Sequence, residues 1–163
     1  MKRRLMTGVM MAAMALGVAA QDDHHKAVDA HGDHVMGFSH EKTTHHFRLY
    51  ADGGAIEVTA NDAKDTESTA QIRMHLGHIA GMFAAGNFQA PMLVHSQTPP
   101  GVPVLQRLKS EVSYKYQDID RGGRVRIATK NADALAAVHE FLRFQIADHQ
   151  TGDTTDVTKE GTK

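Results

Sequence analysis

The chain has 163 residues, 41% of them hydrophobic, 23% charged and none of them cysteine, with a formal net charge of −1 when histidine is neutral. That length suits one domain with its own core. The missing thiol excludes disulfide staples and thiolate metal sites, and the near-neutral balance excludes any general attraction to nucleic acid or anionic membrane.

Residues 1–20 have the layout of a secretory signal. Lys2, Arg3 and Arg4 form a positive start, residues 5–18 are nearly all apolar or small, and Val18-Ala19-Ala20 places small residues before Gln21, as signal cleavage requires. The apolar run, about 14 residues, is shorter than the roughly 20 that cross a bilayer. Cleavage after Ala20 and export to the periplasm or the exterior are therefore expected, with no stable membrane insertion afterwards. Three of the 18 basic side chains leave with the signal and none of the 19 acidic ones. Protonation of the histidines below about pH 6.5 would reverse the acidic excess that remains.

Residues 21–44 form a histidine-rich arm, and the run HHKAVDAHGDHVMGFSHEKTTHH at residues 24–46 holds seven of the twelve histidines. A single domain is expected over residues 45–150. Alternation from His46 through Tyr50, a turn at Ala51-Asp52-Gly53-Gly54 and renewed alternation in Ala55-Ile56-Glu57-Val58-Thr59 predict a hairpin. Phe47, Leu49, Ile56 and Val58 should point to one side, and Arg48, Glu57 and Thr59 to the other.

Ser68 and Gln71 have capping-box spacing, and Ile72, Leu76, Ile79 and Phe83 make one helical face that fades near Gly86-Asn87. Residues 86–103 read as a long irregular segment whose Phe88, Met92, Leu93 and Val94 pack on the body. Pro103 suits the first turn of a short helix ending near Leu108. A second hairpin follows: Val112, Tyr114 and Tyr116, a turn at Asp120-Arg121-Gly122-Gly123, then Val125 and Ile127. Asn131 or Asp133 can cap a last helix with the stripe Leu135, Val138, Leu142 and Ile146. Residues 151–163 read as a polar, frayed tail.

The order is ββα, a linker, then ββα, which suggests an internal pseudo-repeat. It predicts an α+β two-layer sandwich: a four-stranded antiparallel sheet with two main helices on its apolar side. The other side carries Arg48, Glu57, Lys115, Arg124 and Arg126 and faces water or a second copy of the chain, in a homodimer.

Imidazole binds copper and zinc, and a thioether adds affinity for Cu(I). His31-x-x-His34-x-Met36 offers three donors, with His40, His45 and His46 to complete a site. Alternation puts His45 with the core-facing set and His46 with Arg48. On the first helix His75, His78 and Met82 share a flank, and His95 lies beside Met92 in the long segment. Each has an ordinary reading too: a soluble titrating arm for the first group, shoulder packing for the second, and cover for a small pocket for His95. His139 aligns with Leu76 of the first stripe and reads as packing, since Arg143 stands where a zinc-protease motif needs its second histidine. His149 reads as a helix C-terminal cap.

No serine sits in a nucleophile elbow, and Ser39-His40-Glu41 lacks triad geometry by adjacency alone. The glycine pairs lack a phosphate-loop pattern, and no basic aromatic stripe suggests nucleic acid. The leading expectation is an exported, non-catalytic transition-metal-binding protein for copper or zinc. The alternatives are a metal-dependent hydrolase or oxidoreductase, with Asp33, Glu41 or Glu140 as base, and a small-ligand domain with a pocket under residues 86–103.

Overall fold

A computed structural model describes Asp23, Lys26, Val28, Gly32 and residues 36–160. The expected signal, His31 and His34 lie outside the described residues. Strands β1 (Thr43–Tyr50), β2 (Gly53–Ala60), β3 (Val112–Ile119) and β4 (Gly122–Thr129) form one antiparallel sheet in the order β1-β2-β4-β3. Helices α1 (Thr66–Ala84) and α4 (Ala132–Asp148) cover one face, and the short α2 (Gln89–His95) and α3 (Val102–Arg107) lie in the connection. This is the α+β arrangement that the ββα-linker-ββα pattern predicts. Among the described residues no helix is long and apolar enough to cross a membrane.

The two halves match in detail. Each hairpin is preceded by a 3-10 turn, His40–Lys42 before β1 and Lys109–Glu111 before β3. The second strand of each hairpin pairs with the other at the sheet centre, from Gly53 opposite Ala128 to Thr59 opposite Gly122. The helices then cross over: α1 packs chiefly on β3 and β4, and α4 chiefly on β1 and β2. Each half's helix therefore covers mostly the other half's hairpin. The core joins Phe47, Leu49 and Val58 of the first hairpin to Val125 and Ile127 of the second, and Ile72, Leu76 and Phe83 to Val138, Phe141 and Leu142.

The crossing explains the glycine pairs, which begin β2 and β4 while Ala51-Asp52 and Asp120-Arg121 make the two-residue turns. A Cβ on Gly54 would sit 2.3 Å from Leu142 Cδ1, and one on Gly123 would sit 3.2 Å from Leu76 Cδ1. Each helix rests a leucine on the other hairpin's glycine. Leu142, not His139, is thus the counterpart of Leu76. The His139 Nε2 atom instead lies 2.9 Å from the Tyr50 carbonyl and 3.1 Å from that of Gly53, and pins the first hairpin's turn from above.

Several local expectations shift. Asp65, not Ser68, caps α1, accepting from the Ser68 amide at 2.9 Å and its hydroxyl at 2.8 Å, because the polar lead-in continues one turn into the helix. Residues 86–103 are not wholly irregular: they include α2, and the Asn87 side chain accepts from the Gln89 amide at 2.9 Å just ahead of it. Asn131 caps α4 through the Asp133 and Ala134 amides. The α4 stripe is wider than expected, with Ala134, Phe141 and Gln145 buried and Leu135 half-buried, since α4 meets both the sheet and α3. Pro103 lies in the first turn of α3, as the sequence predicts.

Residues 151–160 do not fray. Asp153 accepts from the Phe47 amide at 3.0 Å and Arg48 Nη1 at 3.0 Å, and lies 2.9 Å from His46 Nδ1. Thr158 then bridges to Tyr50 in parallel along the β1 edge, an arrangement that protects an exposed strand edge. On the outer face Arg124 meets Glu57 at 2.7 Å, Arg126 meets Asp52 at 2.6 Å, and Glu160 from the tail reaches Arg126 at 3.2 Å. These arginines find acidic partners within their own chain.

In α1, Gly77 and Gly81 have open space where a Cβ would stand, and glycine inside a helix costs about 1 kcal/mol relative to alanine. Gly77→Ala should therefore raise stability by roughly 0.5 to 1 kcal/mol in denaturant melts. A loss of stability would show that the site is covered by something else.

Candidate functional site

Several of the described donor residues gather at one end of the sandwich, where β1 runs beneath α4. His45 stands on the core-facing side of β1 opposite Val58, as alternation requires. Met36 and Phe38 come from the segment before β1, His75 from α1, His95 is the last residue of α2, and His149 caps the C-terminus of α4. Phe38 is buried and fits between two of these rings, stacked on His45 at 6.1 Å between centroids and edge-on to His75 at 5.6 Å. His149 lies parallel to His45 at 5.8 Å, and edge-on to His95 at 5.0 Å.

Two cavities open between these rings. The larger, about 210 Å³, is lined by Met36, His40, His45, His149 and Thr151 with Val28 and Gly32. The smaller, about 70 Å³, lies under α2 among apolar core residues, with Met36, His45, His75, His95 and His149 in its wall. Met36, His45 and His149 belong to both walls. They form the partition. An ion about 2 Å from each of two imidazole nitrogens puts the ring centroids roughly 5 to 6 Å apart, which is the spacing His149 already keeps from His45 and His95. The rings have not turned their nitrogens to one point: among the described residues no three histidine, aspartate or glutamate groups are placed to hold a metal ion.

His95 is the most constrained of the set. Its side chain is 1% exposed, with Nδ1 2.5 Å from Asp148 Oδ2 and Nε2 3.0 Å from Gln145 Oε1. The carboxylate fixes the ring's orientation, as carboxylates do behind metal-binding histidines. Nε2 reaches an ion only when Gln145 moves aside.

His75 differs. Burial, and then the nearby His78, hold its imidazolium form off and lower its pKa to about 4. In the unfolded chain the ring titrates near pH 6.5. The folded state thus binds fewer protons than the unfolded state between those values, and stability rises with pH across that window. Stability present above about pH 6.5 should fall by on the order of 2 to 3 kcal/mol as pH drops to 4. Replacing His75 with leucine should flatten that dependence in urea melts at pH 7, 5.5 and 4. An unchanged slope would assign the acid sensitivity to other groups.

The remaining candidates lie elsewhere. His46 joins Asp153 and Arg48 on the outer side, because its strand neighbour takes the core-facing position. His78 is exposed and Met82 half-buried on α1, and neither lines either of these two cavities. Sequence reasoning underrated His149 and missed Gln145 and Asp148. A signal was present, since His149 lies near the α4 stripe, but its meeting with His45 depends on α4 crossing over β1.

Comparison of this chain with known protein families, with curated proteins and with solved structures finds no match.

Proposed function

We propose that the protein is an exported, non-catalytic transition-metal-binding protein, and that the ion, copper or zinc, is held at the partition formed by Met36, His45 and His149. The observation that carries this reading is that these three side chains line two adjoining cavities, with His40, His75 and His95 around them. Imidazole and thioether are both ligands for these ions. The arm contributes Met36 and His40 to the same place, so arm and domain supply one site.

Size supports an ion over an organic ligand. Cavities of about 210 and 70 Å³ fall short of the roughly 300 Å³ at which small-molecule sites begin. The apolar wall of the smaller cavity, with Phe47, Ile56, Leu76 and Phe141, favours a second reading, in which a small apolar molecule lies under α2. Calorimetric titration of the full chain, purified without a polyhistidine tag, separates the two. The metal reading expects saturable, roughly stoichiometric uptake of Cu or Zn at pH 7 that is lost on acidification as imidazoles protonate. An absence of saturable uptake of either ion, with binding of a small hydrocarbon probe instead, would replace it with the second.

A further inference from the structure

We infer that Asp153 is a positioning residue of the proposed site: it clamps the chain leaving α4 onto β1 and so fixes His149 against His45. The inference rests on the reading that the histidine partition holds an ion. His45 and His149 belong to separate elements, and their rings meet on the core-facing side of β1. There His149 lies parallel to His45 at 5.8 Å and stacks on Phe47 at 5.6 Å. Ring contacts of this kind leave room to slide, whereas a ligand set must be held to within about 0.5 Å.

The clamp lies just beyond His149. Gln150 and Gly152 take left-handed backbone, at φ 51° and 71°, and Asp153 then reaches β1. Its Oδ2 accepts from the Phe47 amide at 3.0 Å and the Thr151 hydroxyl at 2.8 Å. Its Oδ1 accepts from Arg48 Nη1 at 3.0 Å and lies 2.9 Å from His46 Nδ1. Three of these partners directly follow His45 in β1, and the fourth lines the larger cavity together with His149. One short segment thus grips β1 twice, with His149 on the core-facing side and Asp153 on the outer side. Loss of the His46 contact alone leaves the other three. A carboxylate suits the task because both of its oxygens only accept. An asparagine of the same shape would turn its NH2 toward either the Phe47 amide or Arg48, and both of those are donors.

The test uses the full chain without a tag, titrated with Zn(II) against a zinc-binding dye and with Cu(I) against a chromophoric chelator. For whichever ion the wild type holds tighter, Asp153→Asn should weaken binding by about tenfold. In a chain that already carries His149→Ala the same change should matter less than about twofold, since the ring it places is gone. Asn131→Ala removes the cap at the far end of α4 and lowers stability without touching the clamp. Its affinity should stay within about twofold, because lost stability does not alter binding to a chain that remains folded, which circular dichroism checks. A further readout needs no variant. An ion that requires the clamp closed must in turn hold it closed, so hydrogen exchange at the Phe47 amide should slow severalfold when the wild type is saturated. An Asp153→Asn affinity within about twofold of wild type, equal losses in Asp153→Asn and Asn131→Ala, or unchanged exchange at Phe47 would overturn the inference and leave a metal site in place. Failure of the wild type to bind either ion would overturn the metal reading itself.

Discussion

Gly122→Ala should lower stability by about 3 kcal/mol or more, enough to move the thermal midpoint down by roughly 10 °C. Gly122 opens β4 opposite Thr59 of β2, in the central ladder that joins the two halves. A Cβ there would lie 1.9 Å from the Val58 carbonyl oxygen and 2.9 Å from the Thr59 Cα, both of them backbone atoms. No rotamer change can relieve such an overlap. The strands would have to part, and the bond from the Ala60 amide to the Arg121 carbonyl at 2.8 Å and that from Arg73 Nε to the Gly122 carbonyl at 3.1 Å would be pulled with them. Gly53 meets the same constraint at the opposite end of the ladder, 2.1 Å from the Ile127 carbonyl oxygen. Equilibrium unfolding checks this directly, and a variant melting within about 2 °C of the parent would show that the ladder gives way at little cost.

Replacing His45 and His149 together with alanine should weaken Cu or Zn binding by about a hundredfold or more. The two rings lie parallel, 5.8 Å apart, on the shared wall of both cavities, so the double change removes the partition from either side. His46→Ala combined with His78→Ala should leave the affinity within about threefold. His46 is occupied with Asp153 on the outer side, and His78 is exposed on α1. Titration of both double variants, with circular dichroism to confirm folding, separates ligation from packing. Equal losses in the two would mean that histidine content alone governs uptake.

The hairpins, both main helices and the layer order follow from alternation and from the Ile72 and Leu142 stripes, because those patterns report local geometry. The same alternation separates His45 from His46 correctly. What it cannot report is where elements cross. The use of Gly54 and Gly123 as seats for Leu142 and Leu76, and the meeting of His149 with His45, both depend on each helix covering the other half's hairpin. His139 looked like core by alignment, yet its ring reaches two backbone carbonyls at the turn, because the repeat is offset by a helical turn. The tail reads as polar and loose. Its order comes from Asp153, whose side chain is 5% exposed among partners on β1, and no sequence pattern announces that contact.

In the proposed site one set of histidines, those of the partition, holds the ion. Imidazole nitrogen resonances of uniformly labelled, tag-free protein, followed during titration with Zn(II) or with Cu(I) under ascorbate, test it most directly. His45 and His149 signals should shift to metal-bound values in step, with His75 or His95 joining them, while His46, His78 and His139 stay in place. Shifts confined to His46 or His78, or spread evenly over all the histidines, would contradict it.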